Sequence, residues 1–298
     1  MSQRKNMLRM PDKYTAVWVS HSSTSDFVRC PRAYYLKNVY KDPRTNHKVK
    51  LMSPSLALGS AVHEVLEGLS VLPKGTRFVD PLIPKYDEAW KKFTGKRGGF
   101  TDPEMEYTFK QRGAEMIRRV YNHPGPVSGL AVKIQMDLPW FWLSEEENII
   151  LCGKIDWLEY FPDSDSVHII DFKTGRNEED SNSLQLPIYL LLVNNCQKRQ
   201  VSKASYWYLE NSDYPIEKKL PSPDEASVRV LEVAKQIKLA RQINRFKCPK
   251  GDDGCGACRP YEAIVRGEGE LVGQDNFGAD VYILSRAEVA EDREGEIL

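Results

Sequence analysis

Apolar positions recur at two different spacings along the chain of 298 residues, and the spacing changes near residue 130. Before that point the period is helical. Ser23–Ser25 precede a run starting near Asp26 that presents Phe27, Tyr34, Leu36 and Val39, which predicts a capped helix. In LALGSAVHEVLEGLSVL, residues 56–72, Val62, Val65, Leu66 and Leu69 fall three and four apart and predict an amphipathic helix. Residues 80–98 and 102–122 predict two more helices, the second ending before Pro124-Gly125-Pro126.

After residue 130 the texture is that of strands. Residues 131–143, 148–160 and 166–172 are rich in β-branched and aromatic residues and are separated by the turn-forming SEEEN and PDSDS. They predict consecutive antiparallel strands. A helix at about 183–196 follows, then a strand at 204–210. A long helix over 223–246 has Val230, Val233, Ile237, Ala240 and Ile243 on one face. Beyond Cys258 the chain is rich in Gly and Glu and weakly patterned, apart from a short strand at Asp280–Leu284. The order strand-strand-strand-helix-strand, with helices in front and behind, is that of an α/β sandwich.

Composition narrows the class without naming a chemistry. Hydrophobic residues at 41% and charged residues at 28% fit a packed globular core and exclude disordered and collagen-like chains. Mean hydropathy is −0.50, and no stretch approaches the roughly eighteen consecutive apolar residues of a membrane span. The first ten residues lack the apolar segment of a secretory signal, so a cytoplasmic protein is expected. A net charge of zero conceals polarity: residues 1–50 carry a balance of +8 and residues 251–298 one of −8. That pattern fits a basic surface for an anionic partner with an acidic tail, and equally two solvated surfaces. Lys235, Lys238, Arg241 and Arg245 form a stripe on the long helix, which reads as a nucleic-acid track or a solvated face.

The chemistry concentrates in GKIDWLEYFPDSDSVHIIDFKTG, residues 153–175. Two strands of a hairpin carry Asp156 and Asp171, and Lys173 lies two residues on, hence on the same face as Asp171. Carboxylates on neighbouring strands can share a divalent ion. A lysine beside them can orient or deprotonate water, or stabilise charge developing on a phosphate. Gln185 and Tyr189 follow at i and i+4 on the next helix. His63 begins H-E-V-L-E, whose fifth residue is Glu67, so the two-histidine zinc motif H-E-x-x-H is absent. No G-x-x-x-x-G-K-[ST] occurs either, so any ATP-driven unwinding comes from a partner.

Of six cysteines, Cys152 and Cys196 sit in apolar runs and read as small core residues. Cys248, Cys255 and Cys258 cluster within eleven residues, the pattern of a metal site. No His or Cys follows, which leaves Cys30 as the fourth ligand. Four thiolates take either zinc or an iron–sulfur cluster.

Taken together, C-P-x-x-Y at Cys30, G-x-x-x-H ending at His63, G-x-x-D ending at Asp156, D-x-K-T-G from Asp171 and Q-L-x-x-Y from Gln185 resemble the RecB-like branch of the PD-(D/E)XK nucleases over roughly residues 20–262. The resemblance implies a restriction-endonuclease-like α/β core, a mixed sheet flanked by helices. It implies a helical part at about 20–125, a catalytic core at about 130–246 and a cysteine cluster at 248–258 joined to Cys30. An acidic tail would follow over 263–298. It implies His63, Asp156 and Asp171 as ligands of Mg2+ or Mn2+, Lys173 as catalytic, Gln185 and Tyr189 beside the site, and a [4Fe-4S] cluster on the four cysteines, with Zn2+ as the alternative. The implied activity is hydrolysis of DNA from ends or single strands, in recombination, repair or phage- and CRISPR-type DNA processing, with a helicase or recombination protein as partner. The alternative is a non-catalytic DNA-binding or scaffold module that keeps the four-cysteine site. Two features depart from the family. The close cysteine pair comes last rather than first, and where an acidic residue often precedes the hairpin the chain reads KIQMDLPW, with Gln135 and Asp137.

Overall fold

The computed structural model describes residues 11–285. Strand β1 (Val17–Val19) opens it and leads into α1 (His21–Arg29). The helix starts five residues earlier than the sequence predicts, because Ser20 rather than Ser23–Ser25 is the cap. Ser20 and Ser23 exchange hydrogen bonds in a capping box. Pro31 then breaks the chain's helical run: it forces Cys30 into extended backbone (φ −165°, ψ 111°) and restarts a short helix α2 (Pro31–Tyr34), continued by one wide π-helical turn to Val39.

Strand β2 (Val49–Leu51) precedes α3 (Pro54–Leu69), capped by Ser53 with Pro54 in its first turn. Helix α4 (Leu82–Trp90) is shorter than its apolar pattern and gives way to tight 3-10 turns through Gly98. Helix α5 (Pro103–Asn122) matches expectation, with Asp102 as its cap. The predicted strand over 131–143 survives only as β3 (Trp140–Ser144), with Ala131 making an isolated bridge to Glu159. The predicted strand 148–160 is two strands, β4 (Ile149–Cys152) and β5 (Trp157–Phe161), which belong to different sheets. The chain leaves one sheet at Gly153 and enters the next at Trp157.

The central sheet has the order β5-β6-β7-β8, with β6 (Ser166–Lys173), β7 (Gln200–Tyr208) and β8 (Ile216–Lys218). β5 and β6 form the expected antiparallel hairpin. β6 and β7 run parallel, joined by α6 (Gln185–Cys196) as a crossover. The alternation of β6 sorts its side chains between two cores. Ile170 and Phe172 join Trp157 and Trp207 under α3, α4 and α5. Val167 and Ile169 face α6 and α7 (Pro223–Gln242) on the other side. Helix α7 buries Ala226, Val230, Ala234, Ile237 and Ala240, while Ile243, expected on that face, is 56% exposed.

The segment beyond residue 262, expected to be an acidic tail, is built into the fold as far as it is described. Helix α8 (Arg259–Val265) is followed by β9 (Glu270–Gln274) and β10 (Asp280–Ile283), and β10 pairs in parallel with β2. Buried Asp280 anchors this contact by accepting from Thr45 (2.8 Å) and Gln274 (2.9 Å), with His47 Nδ1 at 3.0 Å. The acidic stretch after residue 285 lies outside the described residues. Among the described residues no helix is long and apolar enough to cross a membrane.

Candidate active site and cysteine centre

The central sheet presents its chemistry where β5 begins and β6 ends. Trp157 pairs with Ile170, so Asp156 and Asp171 follow at the next position on the two strands. Asp156 accepts a hydrogen bond from Phe172 N (2.9 Å), which fixes its carboxylate against β6. Helix α3 crosses above, and Gly59 permits the approach: a Cβ there would sit 3.1 Å from Thr174 Oγ1. One turn later on α3, His63 Nδ1 lies 3.5 Å from Asp156 Oδ2 and 3.3 Å from Glu67 Oε1. Ligand atoms of His63, Glu67 and Asp156 all lie within 4.8 Å of one another. Glu67 was not singled out by the sequence. Its signal was available as the i+4 partner of His63, but only the approach of Asp156 gives that spacing meaning.

Asp171, opposite Asp156 and on the same face of the sheet, is met by α6. Gln185 Nε2 donates to Asp171 Oδ1 (2.6 Å) and lies 3.3 Å from Tyr189 Oη, while Gln185 Oε1 accepts from Lys173. Lys173 Nζ stands 3.0 Å from both Asp171 Oδ2 and Glu179 Oε2, and 4.9 Å from the centre of the Tyr206 ring. Lys173 is thus ion-paired with both carboxylates. The sequence-predicted residues fall in two adjoining groups: His63 and Asp156, with Glu67, and Asp171, Lys173, Gln185 and Tyr189; Asp171, expected as a metal ligand, is not among the ligand atoms gathered within 4.8 Å around His63. A cleft of about 690 Å³ opens beside them, lined by Glu67, Asp156, Gln135 and Asp137 among others. Gln135 and Asp137 thus flank the site without joining the His63 group.

Burial and like charge set the protonation states. Burial and the negative charge of Asp171 raise the Asp156 pKa, and burial raises that of Asp171 although Lys173 opposes it. Burial alone would lower the His63 pKa, but the hydrogen bond to Glu67 and the charges of Asp156, Glu67 and Asp171 bring it up to about 9. The acidic groups around His63 thus favour its imidazolium form. Burial also opposes the charge of Lys173, yet Asp171 and Glu179 together raise its pKa, so it remains an ammonium. Tyr189 stays a phenol, its pKa raised by burial and by both aspartates.

The oxygen-rich set of Asp156, Asp171 and Glu67 with one imidazole suits a hard divalent cation such as Mg2+ or Mn2+.

A second constellation lies at the break between α1 and α2. Cys30, Cys248, Cys255 and Cys258 bring their Sγ atoms within 4.8 Å of one another, and Cys30, Cys248 and Cys258 are buried. Gly254, at φ +78°, lets the loop close: a Cβ there would meet Glu262 Oε2 at 2.9 Å and Cys258 Sγ at 3.1 Å. Burial works against ionisation of Cys255, but the backbone N–H groups of Ala257 and Cys258 bring its thiol down to about 7. Burial pushes Cys258 up to about 12. Arg32 holds the same loop from the N-terminal side, donating to Asp252 O (2.9 Å) and Glu262 Oε1 (3.1 Å).

The basic stripe of α7 is divided. Lys235 and Lys238 are ion-paired with Glu147 at 3.2 and 2.7 Å, which removes them from a free cationic track.

Comparison with protein families gives a match to the PD-(D/E)XK nuclease superfamily over residues 18–264. The chain belongs to that superfamily, and its mixed sheet flanked by helices is the restriction-endonuclease-like architecture. Comparison with individual characterised proteins gave no match.

Proposed function

We propose that the protein is a divalent-metal-dependent DNA nuclease of the RecB-like branch that hydrolyses phosphodiesters at ends or in single strands. The observation that carries this reading is the cross-strand pair of carboxylates, Asp156 and Asp171, with Lys173 on the face of Asp171 and its ammonium 3.0 Å from that carboxylate. His63, Asp156 and Asp171 would hold Mg2+ or Mn2+; the ligand atoms gathered within 4.8 Å are those of His63, Asp156 and Glu67, and Asp171 enters the set from the neighbouring strand. A bound divalent ion supplies Lewis-acid polarisation of a phosphate and a lowered water pKa. Asp171 and Glu179 favour the ammonium form of Lys173. Its work is to donate to the phosphate or water and to offset developing negative charge. Gln185 links Lys173, Asp171 and Tyr189 and so sets the direction of the lysine. The preference for ends or single strands rests on the family resemblance, and strand separation would be the task of a helicase or recombination partner.

The test is Asp171→Asn and Lys173→Ala, assayed on DNA with Mg2+ or Mn2+. Each should lower cleavage by at least about a hundredfold, the size of losing one transition-state donor or its equivalent. Asp171→Asn should leave the fold intact, because Lys173 keeps Glu179 and Gln185 as partners. Cleavage at the wild-type rate by either variant would place the active site elsewhere.

We further infer that the four cysteines hold one metal centre that joins the two ends of the domain. The resemblance points to a [4Fe-4S] cluster. The spacing favours zinc: Zn–S bonds of about 2.3 Å in a tetrahedron place sulfurs roughly 3.8 Å apart, and Cys255 and Cys258 Sγ are 3.9 Å apart. A four-iron core would stand between the thiolates and spread them further. Metal analysis of aerobically and anaerobically purified protein decides, by iron with acid-labile sulfide or by one zinc per chain.

A further inference from the structure

Two basic features of the sequence are left unused by this chemistry: the N-terminal fifty residues and the distal part of the α7 stripe. They meet. Arg241, one turn beyond the neutralised Lys238, converges with Lys41 and Lys48 on a pocket of about 410 Å³ at the β1–α1 junction. No acidic residue lines it, and Trp18 and Asn38 supply an aromatic ring and an amide, with the buried Tyr34 behind them. Among the described residues none of the three cations is in an ion pair, and Arg241 lies beside Tyr34 in the pocket lining. The arrangement is uncomfortable as it stands. Partial burial and the like charges of Arg241 and Lys41 hold the Lys48 ammonium below its usual pKa.

Three cations around a concave polar pocket, without an acidic counterpart, form a site for an anion. Cations beside aromatic surface are how single-stranded nucleic acid is gripped. None of His63, Asp156, Asp171 or Lys173 lines this pocket. Ser20 does, and the next residue, His21, feels the charge of Lys173. The β1–α1 junction therefore connects the two places.

We propose that Lys41, Lys48 and Arg241 form a second phosphate site, which holds the backbone of the DNA strand apart from the bond being cut. The proposal rests on the nuclease reading and assigns the strand a path across the β1–α1 junction. It also separates two parts of one basic helix: Arg241 binds the strand, whereas Lys235 and Lys238 serve the fold through Glu147.

The experiment compares two full-length variants that each lose two positive charges, Lys41→Gln/Lys48→Gln and Lys235→Gln/Lys238→Gln. Binding of a single-stranded oligonucleotide is followed by fluorescence anisotropy across a salt series without divalent metal. The pocket pair should weaken binding severalfold and make the slope of log K against log salt shallower by about 0.7 to 1.4, the value for one or two phosphate contacts. The Glu147 pair should leave the slope unchanged. Equal weakening by both pairs, or none by the pocket pair, overturns the proposal. Hydrolysis of bis(p-nitrophenyl) phosphate with Mn2+, a diester too small to span both places, keeps the two readings distinct. Activity kept in the pocket variant and lost in Asp171→Asn sustains the nuclease, whatever the oligonucleotide shows. No hydrolysis by the wild type removes the nuclease reading itself. A melting-temperature rise with dAMP that disappears in the pocket pair, with oligonucleotide affinity unaltered, assigns the pocket to a free nucleotide and overturns the strand path.

Discussion

Replacing Cys30 by serine removes one ligand of the cysteine centre and little else. Cys30 caps α2, and its Sγ accepts from Ala33 N at 3.4 Å. A serine hydroxyl is a better cap than a thiol, so the local helix start is preserved. What is lost is the link between residue 30 and residues 248–258. In the chain-entropy model, closing a loop of roughly 218 residues is worth about 5 kcal/mol. That is an upper bound, since metal–thiolate bonds open in the unfolded chain. Arg32 with Glu262 and the pairing of β2 with β10 still hold the same ends together in the native state. An upper bound of about 5 kcal/mol corresponds to a fall in melting temperature of roughly 10–20 °C for a chain of this size.

The assay is thermal unfolding of wild type, Cys30→Ser and metal-stripped wild type, each with its metal content measured. Cys30→Ser should lose bound metal and melt close to the stripped wild type. Cys152→Ser and Cys196→Ser should keep the metal. Full metal content with unchanged melting in Cys30→Ser would refute the four-ligand centre. Lower melting with metal retained would assign the loss to packing.

Gln185→Leu should reduce kcat by about tenfold or more with little change in KM, because a hydrogen bond to a charged group is worth about 1.5–3 kcal/mol and Lys173 loses its guide; equal kcat values would refute the positioning role. His21 supplies a pH test of stability. Burial and the charge of Lys173 lower its pKa to about 4, against the pull of Glu179 and Asp26. Because the folded value lies below the unfolded one, this contribution is complete above pH 6.5 and is lost as pH falls toward 4, to a total of about 3 kcal/mol. His21→Gln should flatten the stability curve over that window, measured by urea unfolding at a series of pH values; an unchanged acid limb would count against the buried neutral imidazole.

The parts of the site that sequence could reveal are those made by neighbours. Asp171 and Lys173 share a face because a strand alternates, and Gln185 and Tyr189 share one because a helix turns in 3.6 residues. Asp156 was legible as the second carboxylate of the hairpin, His63 came from the family pattern, and the structure brings the two together. What periodicity missed depends on long-range pairing. Val17–Val19 is too short to announce a strand, and it exists because Ile149–Leu151 pairs with it from more than a hundred residues away. The apolar run 148–160 looks continuous because both of its halves are buried, yet Gly153 is where the chain changes sheets. Likewise β9 and β10 carry weak patterns of their own and are held by β2 and by the buried Asp280.

The two constellations are joined by a single short helix, and this constrains what the cysteine centre can do. Helix α1 runs from His21, which feels Lys173 and Glu179, to Arg29, next to Cys30. Nine residues at 1.5 Å each span roughly 13 Å, too far for the centre to touch the phosphate being cut. Hydrolysis of a phosphodiester transfers no net electrons, so the reaction makes no demand on the redox state of any occupant. On the proposed reading the centre would act on catalysis by fixing α1, whose first turn lies near Lys173 and borders the pocket of Lys41, Lys48 and Arg241. Loss of the centre should then cost stability first and strand binding second. The rate on a small diester should fall least, because Asp156, Asp171 and Lys173 are held by the hairpin and α6, which α1 does not build.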